Sequence, residues 1–144
     1  MKTLLLTCLV SYGLWAQGTY TRGYFITHDG TKTEALIKRF KISENPGFIR
    51  YKLSKEADFE NLLLENLSQV SPNGKTVYQI ATVAIDNTTD NLKELKDAPR
   101  SSEFEMEEMT LFLEILVTGK ANLYKSIYEG REKFFYKTNG RPIE

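Results

Sequence analysis

The 144-residue sequence contains one cysteine and one histidine, and its 19 basic side chains are balanced by 19 acidic ones. A lone cysteine, Cys8, cannot close an internal disulfide or build a multi-cysteine zinc or iron–sulfur site. A lone histidine, His28, leaves little material for a histidine-rich metal centre or a catalytic triad. Zero net charge removes the overall electrostatic case for a nucleic-acid binder, which normally carries a basic excess. No apolar run reaches the ~20 residues that a membrane-spanning helix needs. The sequence has no Gly-x-Ser-x-Gly elbow, no His-Glu-x-x-His zinc helix, no internal repeat and no low-complexity tract. What is present is 41% apolar content, enough for a core, on a length that suits one domain.

The first eighteen residues read as an export address. Lys2 precedes an apolar stretch over residues 4–14, and Trp15-Ala16-Gln17-Gly18 follows as a small-residue exit. That is the layout of a secretory signal peptide. Cleavage after Ala16 leaves Leu14 at the −3 position, whereas cleavage after Gly18 places Ala16 there; both sites stay open. Either cut removes Cys8 and Lys2, so residues 19–144 form a cysteine-free, nearly neutral exported domain. A domain of that size can rely on its apolar core.

The rest alternates strand-forming and turn-forming segments. Gly23-Tyr24-Phe25-Ile26-Thr27 runs into the turn His28-Asp29-Gly30-Thr31, and residues 32–40 return as the second arm of a hairpin. After the turn Glu44-Asn45-Pro46-Gly47, residues 48–53 alternate as a half-buried strand does. Residues 54–69 fit two patterns, a helical face of Phe59, Leu62, Leu63 and Leu67, or a short strand followed by a turn. Ser71-Pro72-Asn73-Gly74 is a turn, residues 76–85 a strand, and residues 86–100 a polar loop with one helical turn over 92–96. Residues 110–118, 121–128 and 132–137, joined by tight turns, predict an antiparallel meander. The fold class expected is mainly β: a single small antiparallel domain with at most one or two short helices. Phe134 and Phe135 are adjacent in a strand, so one faces the core and the other a second layer or a surface.

Three motifs bear on chemistry. Gly74-Lys75-Thr76 matches the end of a phosphate-binding loop, but Gln69 stands where that loop needs a glycine, and Pro72 removes an amide. A strand, not a helix, follows it, so a nucleotide-linked protein has no other support here. Asp86, Thr88, Asp90 and Asp97 occupy positions of a calcium loop, yet Asn91 replaces the glycine required for its bend. Glu103, Glu105, Glu107 and Glu108 form an acidic cluster at the entry to an apolar strand, where charges guard against aggregation. No catalytic, cofactor-binding or metal-binding residue is nominated.

The segments Gly23-Tyr24-Phe25-Ile26-Thr27, Asp29-Gly30, Leu36-Ile37-Lys38 and Ala81-Thr82-Val83-Ala84-Ile85-Asp86 resemble a family of exported, largely uncharacterised proteins of Bacteroidetes-type bacteria. The likeness is densest at Glu107, Leu111-Phe112-Leu113, Leu116 to Tyr124 and Phe134-Phe135-Tyr136-Lys137. These are strand-and-turn patterns, so the resemblance implies fold and location rather than chemistry. Ala35 stands where the family's second strand often has glycine, and the sequence stops at Pro142-Ile143-Glu144 where members tend to continue, sometimes into an outer-membrane β-barrel. The resemblance therefore implies a domain of a longer design or a shortened copy. The function expected is a non-enzymatic exported domain, periplasmic, outer-membrane-associated or extracellular, acting on an envelope protein or surface component. The alternative is a secreted enzyme or small-ligand or glycan binder with a site in the 86–108 region.

Overall fold

A computed structural model describes residues 19–86 and 106–144. The first hairpin joins β1 (Tyr20–Thr27) to β2 (Lys32–Lys38). A short 3-10 turn, Ile42–Glu44, leads to β3 (Phe48–Lys52) and β4 (Glu60–Leu63). A second 3-10 turn, Leu64–Asn66, leads to β5 (Leu67–Ser71) and β6 (Tyr78–Asp86). The last strands are β7 (Met106–Val117), β8 (Ala121–Tyr128) and β9 (Arg131–Thr138). All pair antiparallel in one sheet of order β4-β3-β2-β1-β5-β6-β7-β8-β9. The mainly β expectation holds, and the helical content of the described residues is two 3-10 turns.

The open reading of residues 54–69 resolves as strand, turn, strand. Leu62 and Leu63 lie on opposite faces of β4, Leu64 is buried in the 3-10 turn, and Leu67 opens β5 fully buried. The three-residue turn forces the sheet to curl. In a flat sheet β4 and β5 would lie four strand spacings apart, about 19 Å. The chain from Leu63 to Leu67 can span only about 14 Å. The backbone N–H of Leu64 donates to the Gly47 carbonyl at 3.0 Å, which ties the curled edge. On the far side, the Asn45 side-chain amide donates to the Thr110 carbonyl of β7 at 3.0 Å.

Curling encloses one core and leaves a second on the other face. The first gathers Phe25, Ile37, Ile49, Leu64, Leu67, Val70, Ile80 and Phe112, with Phe40 and Ile42 of the β2–β3 connection packed over it. The second gathers Val83, Ile85, Leu111, Leu113, Tyr124 and Phe135, with Ile143 against it. Strand alternation explains the run Leu111-Phe112-Leu113, every member of which is fully buried. Phe112 enters the first core while Leu111 and Leu113 enter the second. Each such burial stabilises by roughly 2 kcal/mol.

Residues 1–18 lie outside the described residues, as do the helical turn expected over 92–96 and the calcium-loop positions Thr88, Asp90, Asn91 and Asp97. Among the described residues no helix is long and apolar enough to cross a membrane.

Candidate functional site

Among the described residues, the positions singled out by chemistry do not converge. Asp86 closes β6 opposite Met106. Glu107 and Glu108 belong to β7 itself, paired with Ile85 and Ala84, and as adjacent strand residues they point to opposite faces. An acid–base pair cannot be built from them. Glu103 and Glu105 lie outside the described residues. His28 is exposed at the tip of the first hairpin. Its neighbour Asp29 organises that turn: one carboxylate oxygen accepts from the Thr27 hydroxyl and from the Thr31 N–H at 3.0 Å, the other from the Thr31 hydroxyl at 2.9 Å. These bonds, that of Thr27 first, hold the Asp29 carboxyl below the usual aspartate range. Among the described residues no three His, Cys, Asp or Glu side chains gather closely enough to hold a metal.

Gly74-Lys75-Thr76 sits in the β5–β6 turn. The backbone amides of Lys75 and Thr76 both donate to the Asn73 side-chain oxygen at 2.9 Å. They are the amides a phosphate would need, and an Asx turn already uses them. Gly74 supplies a φ of 70° there, which an L side chain adopts with strain.

Two concave features have been formed by other residues. A shallow cleft of about 360 Å³ opens where β3 peels away from β2, lined by Arg22, Glu34, Leu36, Leu53, Ser54 and Lys55. A second, of about 60 Å³, lies between Ile42, Tyr78, Glu114 and Lys125. It is far below the ~300 Å³ of a small-molecule site. Burial, then the nearby Glu114 carboxylate, pushes the Tyr78 hydroxyl above the usual tyrosine range. Lys125 stands half-buried between Glu114 at 3.9 Å and Glu132 at 3.4 Å, a cross-strand ion network rather than a reacting set.

The most distinctive surface is apolar and lies on the closing meander. Phe135 is 6% exposed, in the second core, whereas Phe134 is 58% exposed on the opposite face. The β7–β8 register slips at Leu116, so Val117 rather than Leu116 stands opposite Leu123. Tyr136 stands opposite Leu123 on the other side, which makes Val117, Leu123 and Tyr136 a three-strand ladder. These three are 55%, 37% and 49% exposed, and Phe134 extends the same patch. Tyr136 is fixed by Glu144: their backbones exchange bonds of 2.8 and 2.9 Å, and the Tyr136 hydroxyl donates to the Glu144 carboxylate at 2.8 Å. That bond raises the Tyr136 hydroxyl above its ordinary range. The sequence signalled this surface through the adjacent phenylalanines but gave no sign of the register slip. No protein-family model, curated protein or solved structure matches the chain.

Proposed function

We propose that this is an exported, non-enzymatic domain, periplasmic, outer-membrane-associated or extracellular, that works by contact with an envelope protein or surface component. The observation that carries the reading is the exposed ladder of Val117, Leu123 and Tyr136 with Phe134 beside it. A contiguous apolar patch on an ordered sheet face is the signature of a contact surface. The apolar segment over residues 4–14 behind Lys2 supports export. The exposed carboxylates Glu107 and Glu108 diverge from one another, which weakens the competing reading of an enzyme or glycan site in the 86–108 region.

The test is to express the full chain in a related host, fractionate the envelope, cross-link in place and read the products by mass spectrometry. Export predicts a mature N-terminus at Gln17 or Thr19 and a cross-link passing through β9. Recovery from the cytosol with residues 1–16 attached would overturn the reading.

A further inference from the structure

Overall neutrality conceals a charge imbalance on one sheet face. Strand alternation turns Arg22, Lys32, Lys38, Arg50 and Lys52 to the face of β1 to β4 that lies opposite the first core. Glu34 is the one carboxylate that these strands place among them. Among the described residues, none of the five cations lies within ion-pair distance of a carboxylate. Three rest on aromatic rings instead. Lys32 Nζ lies 4.2 Å from the Tyr24 ring centre, the Arg50 guanidinium 4.5 Å from Phe59 and Lys52 Nζ 5.4 Å from Tyr20.

The outer strands add apolar side chains to the same face. Phe48 and Leu63 stand directly opposite each other across β3 and β4, 41% and 48% exposed. Phe59, under Arg50 and just before β4, is 53% exposed. The connection between these strands also carries Glu56 and Asp58, which lie outside the strands that form the face.

A soluble polyanion would use the cations and have no need of the apolar side chains. A nucleic acid would stack its bases on aromatic faces, and Lys32 and Arg50 already lie over the rings of Tyr24 and Phe59. A bilayer with anionic headgroups uses both sets at once. Lysine and arginine stems reach phosphate, while exposed Phe and Leu enter the headgroup–acyl boundary. We propose that the outer face of β1 to β4 docks on an anionic lipid surface, with Arg50 and Lys52 on phosphates and Phe48 and Leu63 inserted. The inference rests on the envelope-contact reading above and names the surface that would make one such contact.

Vesicle sedimentation tests it, using the full chain with vesicles of pure phosphatidylcholine or with about one-third phosphatidylglycerol. The readout is the preference for anionic over neutral vesicles, so that the shared N-terminal segment cancels. Arg50→Glu with Lys52→Glu is expected to lower that preference about tenfold or more. Lys120→Glu with Arg141→Glu changes net charge equally, in two exposed turns of the closing meander at the other end of the sheet, and is expected to stay within about twofold. Phe48→Ser with Leu63→Ser is expected to weaken binding to both vesicle types.

Equal losses in the two charge-reversed variants would overturn the proposal in favour of bulk charge. Full binding by the Phe48→Ser, Leu63→Ser variant, with equal capture by soluble polyphosphate, would overturn it in favour of a polyanion. Circular dichroism melts confirm folding, and Arg50→Gln with Lys52→Gln replaces the reversal if that variant does not fold. Vesicle preference is read outside the cell, so a failure here and a failure of export are separately visible.

Discussion

A β-carbon placed on Gly23 would lie 2.1 Å from the carbonyl oxygen of Ser71 and 2.8 Å from the Pro72 carbonyl carbon. The obstruction is backbone on both counts, so no side chain can swing aside. β1 and the end of β5 approach this closely because Tyr24 pairs with Ser71. The Thr21 hydroxyl also donates to the Pro72 carbonyl at 2.6 Å, one turn of the pleat away. This contact joins the two halves of the sheet.

Gly23→Ala is therefore expected to destabilise the domain by about 3 kcal/mol, the upper range for overpacking a rigid site. Gly47→Ala is the control, since nothing lies within 4 Å of its added carbon and its φ is not positive. Chemical denaturation with both variants checks the difference. A Gly23→Ala midpoint equal to that of Gly47→Ala would show that the β1–β5 contact is looser than its geometry.

Phe134 and Phe135 are neighbours in sequence with opposite fates, and their alanine variants should separate stability from contact. Phe135→Ala empties part of the second core and is expected to cost about 3–5 kcal/mol. Phe134→Ala removes an exposed ring and is expected to cost less than about 1 kcal/mol. The same Phe134→Ala change should weaken any cross-link that runs through β9. Thermal melts with in-cell cross-linking read both effects.

Asp29 gives a pH dependence whose sign follows from its lowered carboxyl. The folded state holds the carboxylate with bonds from Thr27 and Thr31, and the unfolded chain titrates near the ordinary aspartate value of ~3.9. Its contribution is present above that value and is lost as pH falls through the lower folded value. Asp29→Asn should be less stable than the parent at pH 6, and the gap should narrow as pH falls below the ordinary aspartate range. Denaturation at a series of pH values measures it. A gap that stays constant would mean that the turn does not depend on the charged form.

Much of the strand pattern was legible because it rests on local signals. Asp29-Gly30 and Glu129-Gly130 sit in tight turns with positive φ at both glycines, and the strands around them fall close to where alternation places them. The sheet order was not legible. Nothing local says that β5 returns beside β1, because that depends on Leu64 and Leu67 reaching the same core as Phe25. The apolar ladder was half legible: alternation exposes one of Phe134 and Phe135, but Val117 joins it only through a register slip at Leu116. The basic face was hidden by composition, since equal totals of acid and base carry no information about which face of a strand each occupies.

The curl itself can be tested through Phe40 and Phe112. Their ring centres lie 5.1 Å apart, tilted by 39°, although Phe40 follows β2 and Phe112 is in β7, four strands further along the sheet. A flat sheet would hold those strands about 19 Å apart. A double-mutant cycle of Phe40→Ala and Phe112→Ala is expected to show about 0.5–1.5 kcal/mol of coupling, the range for a direct aromatic pair. Phe40→Ala with Phe135→Ala spans the two cores and should be additive within about 0.5 kcal/mol. Equal coupling in both cycles would place the non-additivity in the unfolded chain rather than in the closure of the sheet. Coupling confined to the first pair requires the β2–β3 connection to lie over β7, and only a curled sheet puts it there.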